Sequence, residues 1–309
     1  MRLLKEYKLK DWLRLIPVKW LLKEIRNDVL LTIFLGKDSR DQDAAKIALN
    51  KSKKKCLVAV IAFERPELIF LQIKNFDLYF QEAQLVVFDN SQTLEQSEKI
   101  RNACLNSSAI YLKLPRNKTR HPNRSHGLAL QWAYKKIIKD SSFSFFGFID
   151  HDLLPVRKVD ADKLLLKNKA FGLLWKGTID NGAWQLWPGY SFYDLKHTQS
   201  YKINFLYDFS NGLDTGGRHY QSFYSKLEVD ESIFCEQSLL TLLIEGEEVR
   251  VQLIDDCWLH LGGSGYVKGF ETRFEFFAKV VDSFSLGDES LIIKESKLIP
   301  HGFPYTGYT

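Results

Sequence analysis

The sequence predicts an α/β fold in which a mostly parallel sheet is flanked by helices and preceded by a helical arm. From Cys56 onward, short apolar runs alternate with segments of helical pattern, as in parallel sheets covered on both faces. The first run, residues 57–63, is continuously apolar, as expected for a strand buried on both sides. Residues 1–55 instead mix apolar and basic residues and are assigned to an arm and linker, which leaves residues 56–309 as the domain proper.

Composition limits the class of protein. With 309 residues, of which 45% are hydrophobic and 14% aromatic, the chain can bury one large core. No stretch approaches the roughly 18 to 20 apolar residues of a spanning helix, and the N-terminus lacks a signal-peptide pattern, so we expect a cytoplasmic protein. The cysteines are widely spaced without a C-x-x-C pair, which predicts neither a zinc site nor a disulfide framework: they are Cys56, Cys104, Cys235 and Cys257.

The net charge of +5 is unevenly distributed, because residues 1–55 hold 15 Lys and Arg against 7 Asp and Glu, and the remainder holds 28 against 31. A nucleic-acid-binding protein usually spreads basic charge over a recognisable folded module, so we expect no nucleic-acid partner. Residues 3–34 follow nearly helical spacing and predict two short helices divided at Pro17, with Trp12 and Trp20 on the apolar side.

Two interpretations of this arm stay open. Basic and apolar residues with interfacial tryptophans are typical of a helix that lies on an anionic membrane surface, which would make the protein peripheral on the cytoplasmic face. A helix packed on its own domain or on a second subunit has the same pattern. Residues 36–55 are predicted to form a linker or an exposed helix.

Within the domain the predicted strands and helices alternate. We expect strands at residues 57–63, 85–88, 109–112 and 145–149, and helices at residues 66–80, 94–105 and 125–139. Ligands of open parallel sheets bind outside the carboxyl ends of the strands. Asp89, Asp150 and Asp152 all follow such ends.

Asp-x-Asp patterns occur three times, at residues 41–43, 150–152 and 160–162. Only Asp150-His151-Asp152 follows a strongly apolar strand, where side-chain alternation directs both carboxylates to the same side. Two such oxygen ligands suit Mg²⁺ or Mn²⁺, with further coordination positions left for diphosphate oxygens and water. A metal site is predicted here; a strand end without metal is the alternative.

An ordered set of segments resembles the GT-A glycosyltransferases, most closely their family 2 type. The resemblance covers roughly residues 56–265, and its order along the chain is the specific part. It is carried by residues 58–66, 86–91, 125–131 and 148–152, which resemble the opening strand and turn, the second strand, the glycine-containing helix start and the metal motif.

That resemblance implies transfer of a sugar from a nucleotide-diphosphate sugar, with UDP favoured, to a saccharide or lipid-linked acceptor in surface polysaccharide assembly. Residues 56–156 would bind the donor and residues 157–309 the acceptor. Asp150 and Asp152 would hold Mn²⁺ or Mg²⁺, and His260, about a hundred residues later, would complete the metal ligands. The implied donor-binding residues are Ala62, Phe63, Glu64, Arg65, Asp89, His126, Gly127, Asp150 and His151.

The basic loop of residues 116–124 adds Arg124 to this set. Because the loop leads into a helix N-terminus, Arg116, Lys118 or Arg124 is a candidate for binding diphosphate. A solvated basic loop explains these residues equally well. The aromatic-rich stretch that follows the metal motif either stacks on acceptor sugars or packs in the core; it contains Trp175, Trp184, Trp187, Tyr190 and Tyr193.

An inverting transfer needs a carboxylate that takes the proton of the acceptor hydroxyl. Asp214, between Leu213 and Thr215, is the first candidate, because its spacing after the metal motif resembles that of acceptor-loop acids in related enzymes. The rival set is Asp230, Glu231 and Glu236, of which the first two resemble the Glu-Asp element of the family. This sequence departs from the usual Glu-Asp order, so both the base and the stereochemistry stay open.

Other functions compete with a glycosyltransferase. A phosphohydrolase of the haloacid dehalogenase type also uses Asp-x-Asp after an apolar strand, and Asp255 and Asp256 would supply its distal metal ligands. That motif normally lies on the first strand, whereas Asp150 follows the fourth. A nucleotidyltransferase shares the strand-end acids. A non-catalytic scaffold docked to a membrane through the arm would keep the fold without metal-dependent donor binding.

Overall fold

The computed structural model describes residues 4–161, 169–227, 232–262, 270–288 and 290–298. The helices are α1 (Leu9–Leu13), α2 (Ile16–Leu35), α3 (Gln42–Lys51), α4 (Pro66–Tyr79), α5 (Leu94–Leu105), α6 (Pro122–Ala133), α7 (Leu195–Gln199) and α8 (Phe270–Ser285). The strands are β1 (Cys56–Ala62), β2 (Ala83–Asp89), β3 (Ile110–Lys113), β4 (Phe145–Ile149), β5 (Leu153–Pro155), β6 (Ala170–Lys176), β7 (Trp184–Asp194), β8 (Ser232–Phe234), β9 (Gln237–Ile244), β10 (Glu247–Ile254), β11 (Trp258–His260) and β12 (Ile292–Leu298).

The larger sheet has seven strands in the order β3-β2-β1-β4-β7-β6-β8. β1 pairs in parallel with both β2 and β4, and β2 pairs in parallel with β3, whereas β7 runs antiparallel to β4 and β6. Every residue of β1 is buried, as its continuous apolar run predicts. The predicted α/β class with a mostly parallel sheet is confirmed.

Helices cover both faces of this sheet. Side chains of β1 alternate between them, so that Leu57 and Ala59 join a core with α6, and Val58 and Val60 join a core with α4 and α5. A third core lies between α8 and the second sheet, which is antiparallel in the order β12-β9-β10-β11-β5. The second half of the domain therefore has more regular structure than its loop-rich sequence suggests.

The predicted strands and helices of residues 56–149 are present, with most boundaries within one or two residues and both ends of one helix corrected. α6 begins at Pro122 rather than at Ser125, because proline suits the first turn of a helix, where its missing N–H costs no hydrogen bond. The predicted continuation to Lys139 is interrupted as well. α6 ends at Ala133 and is followed by a π-helical turn, Tyr134–Ile138.

The N-terminal arm breaks near Pro17, as predicted, but its second helix is long. Pro17 lies in the first turn of α2, where it starts the helix instead of dividing it, and α2 continues for 20 residues. Its Leu31 and Phe34 are buried in the same core as β1. The domain boundary at residue 55 stays a prediction, and packing contacts cross it.

The predicted linker contains α3, which packs along the edge strand β3. Ala45 and Leu49 of α3 are buried in the core. Asp41 accepts a hydrogen bond from the backbone N–H of Lys113 at 3.0 Å, and the Ser39 hydroxyl donates to the Lys113 carbonyl at 2.5 Å. Across the described ranges, no helix combines the length and apolar character needed to cross a membrane.

Candidate metal and donor site

The Asp150-His151-Asp152 segment forms a fixed turn at the carboxyl end of β4. The Asp150 N–H donates to the Gly189 carbonyl at 3.0 Å, and the Leu153 N–H donates back to the Asp150 carbonyl at 3.1 Å. Gln72, fully buried on α4, donates to the carbonyls of Asp150 and Leu153 at 2.9 and 2.7 Å. The backbone that carries both aspartates is therefore held from two sides.

His260 reaches this turn because β11 pairs with β5. In that antiparallel pairing His260 lies opposite Leu153, and the Leu261 N–H donates to the Asp152 carbonyl at 3.0 Å. His260 Nε2 lies 3.4 Å from Asp152 Oδ1. One ligand atom each from Asp150, Asp152 and His260 lies within 4.8 Å of the others, so the structure brings together the three residues predicted to bind metal.

A buried glutamine orients the His260 ring. Gln252, the partner of His260 in the β10–β11 register, places its Oε1 2.9 Å from His260 Nδ1. The Gln252 amide nitrogen donates to the side-chain oxygen of Gln237, so its oxygen is the atom that accepts from His260. With the proton of the neutral ring on Nδ1, the Nε2 lone pair is directed to the cluster, as metal-binding histidines require.

The charges of the cluster favour a cation. Burial raises the pKa of Asp150 to about 7, and the carboxylates of Asp152 and Asp214 add to the increase. Burial by itself lowers the pKa of His260, but the carboxylate of Asp152 outweighs it, so the net change is upward. Two crowded carboxylates and one imidazole nitrogen form a ligand set that fits Mn²⁺ or Mg²⁺.

The end of β1 forms the predicted donor side. Ala62 is fully buried and cannot contribute a side chain, whereas the Phe63 ring beside it is 36% exposed. Glu64 adopts a left-handed conformation (φ 53°), and its carboxylate accepts hydrogen bonds from the N–H groups of Gln92 and Thr93 before α5. Phe63 is thus free to contact a ligand, while Glu64 fixes the turn that precedes α5.

Two further donor-side residues have defined partners. The Arg65 guanidinium stacks 4.0 Å from the Phe270 ring, and its charge contributes to the lowered pKa of His151, of which burial is the larger cause. Arg65, which directly precedes α4, therefore lies on the side of the metal-ligand cluster. His151, between the two aspartates, is half-buried.

Asp89 is fully buried at the end of β2 and engaged within the protein. Its carboxylate accepts hydrogen bonds from the Ser91 N–H at 2.8 Å, the Ser97 hydroxyl, the Tyr111 hydroxyl at 2.9 Å and the Lys113 ammonium at 3.0 Å. Burial raises its pKa, but these donors lower it by more. The predicted contact with a nucleotide base stays a prediction, since the side chain already has four donors.

The start of α6 contributes one side chain to the cluster. His126 Nε2 lies 4.0 Å from Asp150 Oδ1, and burial together with His151 lowers the pKa of His126 to about 4, so the ring is neutral near pH 7. Gly127 serves close packing instead, because a Cβ there would lie 3.0 Å from the Phe205 carbonyl oxygen.

The basic side chains of this loop differ in their surroundings. Arg116 and Lys118 are exposed. Arg124 Nε instead donates to the Asn27 side chain and to the Tyr207 hydroxyl, each at 3.1 Å. The predicted diphosphate contact of Arg124 stays a prediction, and the structure gives this residue two protein partners.

Among the candidate bases, Asp214 is hydrogen-bonded to the start of α6, the helix that brings His126 to Asp150. Its charge contributes to the raised pKa of Asp150, its side chain is exposed, and its Oδ1 accepts from Asn123 Nδ2 at 2.9 Å. Glu236 is exposed between β8 and β9 and lies 3.8 Å from the ammonium of Lys297. Asp230 and Glu231 lie outside the described residues.

The aromatic stretch divides between core and cleft. Tyr190 and Tyr193 are buried, which agrees with the core alternative. Trp187 is half-buried and packs 4.8 Å from the His260 ring, so it lies beside the metal ligands. Trp184 lines an apolar pocket with Leu174 and Phe234.

The acids required by the phosphohydrolase alternative lie apart from the cluster. Asp255 and Asp256 form the turn between β10 and β11, both with positive φ, and Asp255 accepts from the Tyr190 hydroxyl at 3.5 Å. Because Trp258 pairs with Pro155 while His260 pairs with Leu153, this turn lies at the opposite end of β5 from Asp152. In the described part of the chain, the metal-ligand cluster includes neither residue.

Sequence reasoning missed Gln72, Gln252 and Gln237, which fix the backbone and the ring of the metal ligands. The period of strands β9 and β10 gives no signal for the last two, because Gln252 shares its strand face with Glu248 and Arg250 and Gln237 is the first residue of β9. The strand register shows where Gln252 lies: it is opposite His260 of β11 on one side and opposite Leu239 of β9 on the other.

Comparisons with known proteins give partial structural similarities. No protein-family model matches the chain, and a search of curated protein sequences found no match. S. aureus TarS shares 18% identity over 49% of this chain and 30% of its own length (TM-score 0.34). The mannosyltransferase PcManGT from Pyrobaculum calidifontis, solved with GDP-Man and Mn²⁺, shares 12% identity over 59% of this chain and 56% of its own (TM-score 0.33).

The galactosyltransferase LgtC, solved with donor and acceptor sugar analogs, shares 12% identity over 47% of this chain and 60% of its own length (TM-score 0.33). The chain thus spans less than two thirds of each of these structures. These similarities are distant and partial, and the residues of the site carry the functional conclusion.

Proposed function

We propose that the protein is a metal-dependent glycosyltransferase of the GT-A kind that moves a sugar from a nucleotide-diphosphate sugar to a saccharide or lipid-linked acceptor. The observation that carries the proposal is the cluster of Asp150, Asp152 and His260, in which both aspartates follow the carboxyl end of β4, a strand parallel to β1. This is where open sheets of this class bind ligands. A divalent cation held there supplies Lewis acidity and neutralises the charge of a leaving diphosphate.

The residues around the cluster have separate roles in this proposal. Phe63 offers its exposed ring to the donor base, for which we favour uracil, and His126 contacts the donor as a neutral ring. Asp214 takes the proton of the acceptor hydroxyl as that oxygen bonds to the anomeric carbon and the bond from carbon to diphosphate breaks. Attack opposite the leaving group inverts the configuration at that carbon.

The test is ligand-dependent thermal unfolding with UDP, GDP, CMP and dTDP, each with and without Mn²⁺. A ligand that binds only the folded state at about 100 times its Kd raises stability by roughly 2.7 kcal/mol. We expect this shift with one nucleoside diphosphate, and only when Mn²⁺ is present. A sugar nucleotide of the same base should then be hydrolysed or transferred. Stabilisation by none of the nucleotides would contradict the proposed activity.

We further propose that an anionic membrane surface receives the outer face of the arm, which suits a lipid-linked acceptor and a place in surface polysaccharide assembly. On α2 the exposed residues Val18, Leu22, Ile25 and Val29 repeat at helical spacing and form one apolar stripe. Exposed basic residues accompany the stripe, as in interfacial helices: they are Lys5, Lys8, Lys10, Arg14, Lys19 and Arg26.

Sedimentation with lipid vesicles tests this contact. Wild-type protein should bind vesicles that contain phosphatidylglycerol and should bind pure phosphatidylcholine weakly. Replacing Leu22, Ile25 and Val29 together by Gln should reduce binding about tenfold or more, since binding scales with buried apolar area. The matched control replaces three exposed leucines outside the arm by Gln, namely Leu94, Leu105 and Leu286. Equal binding by both triple variants would exclude the arm as the contact.

A further inference from the structure

The inner face of α2 contacts one end of the segment that carries Asp214. The Trp20 ring stacks on the Phe209 ring, with 5.4 Å between centroids and 4° between planes. The Lys23 ammonium lies 4.5 Å from the Trp20 ring and 4.8 Å from the Phe209 ring. An aromatic stack with a cation over its edge is a specific contact that also orients the loop.

The same face holds the other end of that segment. Arg218 Nη2 lies 2.8 Å from Asp28 Oδ2 and 3.7 Å from Glu24 Oε2. The Asp28 side chain is 55% exposed, but those of Arg218 and Glu24 are only 12% and 8% exposed, so the pair of Arg218 and Glu24 is poorly screened by water. An ion pair in this setting fixes Arg218 more firmly than a surface pair would.

A third contact of α2 involves Arg124, the neighbour of the Asn123 that is hydrogen-bonded to Asp214. Asn27 is fully buried and accepts from Arg124 Nε at 3.1 Å. The residue before Arg124 is Asn123, whose side-chain amide donates to Asp214 Oδ1 at 2.9 Å. α2 therefore holds the donor of this hydrogen bond as well as both ends of the segment that bears the acceptor.

The part of the segment that precedes Asp214 is held by its own hydrogen bonds. Asp208 accepts hydrogen bonds from the N–H groups of Ser210 and Asn211 at 3.0 and 3.1 Å and from both of their side chains. Asp208 and Leu213 exchange two backbone hydrogen bonds of 3.0 Å. Moving Phe209 would therefore move residues 208–213 together, and Asp214 is the next residue along the chain.

We propose that α2 is a positioning element of the transfer site, in which Trp20, Asn27 and Asp28 set the place of the Asp214 carboxylate relative to the metal ligands. The proposal rests on the proposed function, in which Asp214 accepts the proton. It assigns the arm a role in the chemistry that is separate from contact with a membrane, because the apolar stripe lies on the opposite face of the helix.

Three variants of the full-length protein test the proposal. Trp20→Leu removes the stack on Phe209, Trp20→Phe keeps a ring there, and Trp12→Leu removes an exposed tryptophan that packs on Tyr7 instead. In Trp20→Leu we expect amide exchange of residues 208–218 to accelerate about tenfold. We expect kcat to fall about tenfold or more, with the KM for the donor and Mn²⁺-dependent nucleotide binding unchanged. Trp20→Phe and Trp12→Leu should behave as wild type.

The outcomes separate this proposal from the proposed function. Accelerated exchange with an unchanged kcat would overturn it, as would a loss of nucleotide binding equal to the loss of kcat, which indicates general damage. Unchanged exchange in Trp20→Leu would show that α2 does not hold the segment. If wild-type protein transfers no sugar, the proposed function fails, and the exchange measurement alone still decides whether α2 holds residues 208–218.

Discussion

Asp152→Ala should lower sugar transfer by about a thousandfold or more and abolish the Mn²⁺-dependent stabilisation by nucleotide. Asp152 is 4% exposed, and its Oδ1 lies 3.4 Å from His260 Nε2, so no other described side chain is placed to replace it between Asp150 and His260. The measurements are steady-state transfer, Mn²⁺ binding by electron paramagnetic resonance, and thermal unfolding.

The metal-free stability of this variant separates loss of a ligand from loss of the fold. Removing Asp152 relieves its repulsion of Asp150 but also loses its attraction to His260, and the two effects oppose each other. The metal-free variant should therefore fold and unfold close to metal-free wild type. Asp160→Ala, in another Asp-x-Asp pattern with an exposed side chain, is the matched control and should retain activity. Full activity of Asp152→Ala would rule out the cluster as the metal site.

Gln252→Met should weaken Mn²⁺ binding by about ten- to a hundredfold, because partners of metal-bound histidines fix the ring and its tautomer. Methionine is similar in size to glutamine but cannot accept the proton of His260 Nδ1, so the ring is free to turn Nε2 away from Asp152. Titration with Mn²⁺, followed by electron paramagnetic resonance, measures the Mn²⁺ affinity directly and does not depend on transfer activity.

Ser238→Ala is the control for Gln252→Met. Ser238 is buried on the adjacent strand β9, but its hydroxyl donates to Glu295 and not to the histidine. Ser238→Ala should lower the free energy of unfolding by about 1 kcal/mol and leave Mn²⁺ affinity unchanged. If both variants bind Mn²⁺ as wild type does, the glutamine has no part in orienting His260, and the contacts of the ring with Trp187 and Asp152 are sufficient.

The sequence predicted those parts of the fold and site that depend on local pattern. The strands up to residue 149 are continuous apolar runs, and Asp150 and Asp152 follow the last of them, so periodicity alone locates both carboxylates. His260 was found by the resemblance, since nothing in its neighbourhood shows that β11 pairs with β5. Strand register across about a hundred residues is not a local property.

The remaining differences have the same origin. Asp89 follows a strand end as a ligand-binding acid would, yet Tyr111 and Lys113 from β3 occupy its carboxylate, and that pairing is visible only in three dimensions. The inner face of α2 carries Glu24 and Asn27, which a sequence pattern treats as ordinary polar helix positions. Their partners Arg218 and Arg124 lie far along the chain.

The packing of α3 against β3 has a consequence for how the chain can be shortened. β3 is the outer strand of the seven-stranded sheet, and an uncovered outer strand presents unpaired N–H and C=O groups to other molecules. Asp41 and Ser39 already occupy the N–H and the carbonyl of Lys113 at this edge. A protein that began at Cys56 would keep every strand but lose this cover, and its sheet could then be extended by a strand from a neighbouring molecule, which leads to aggregation.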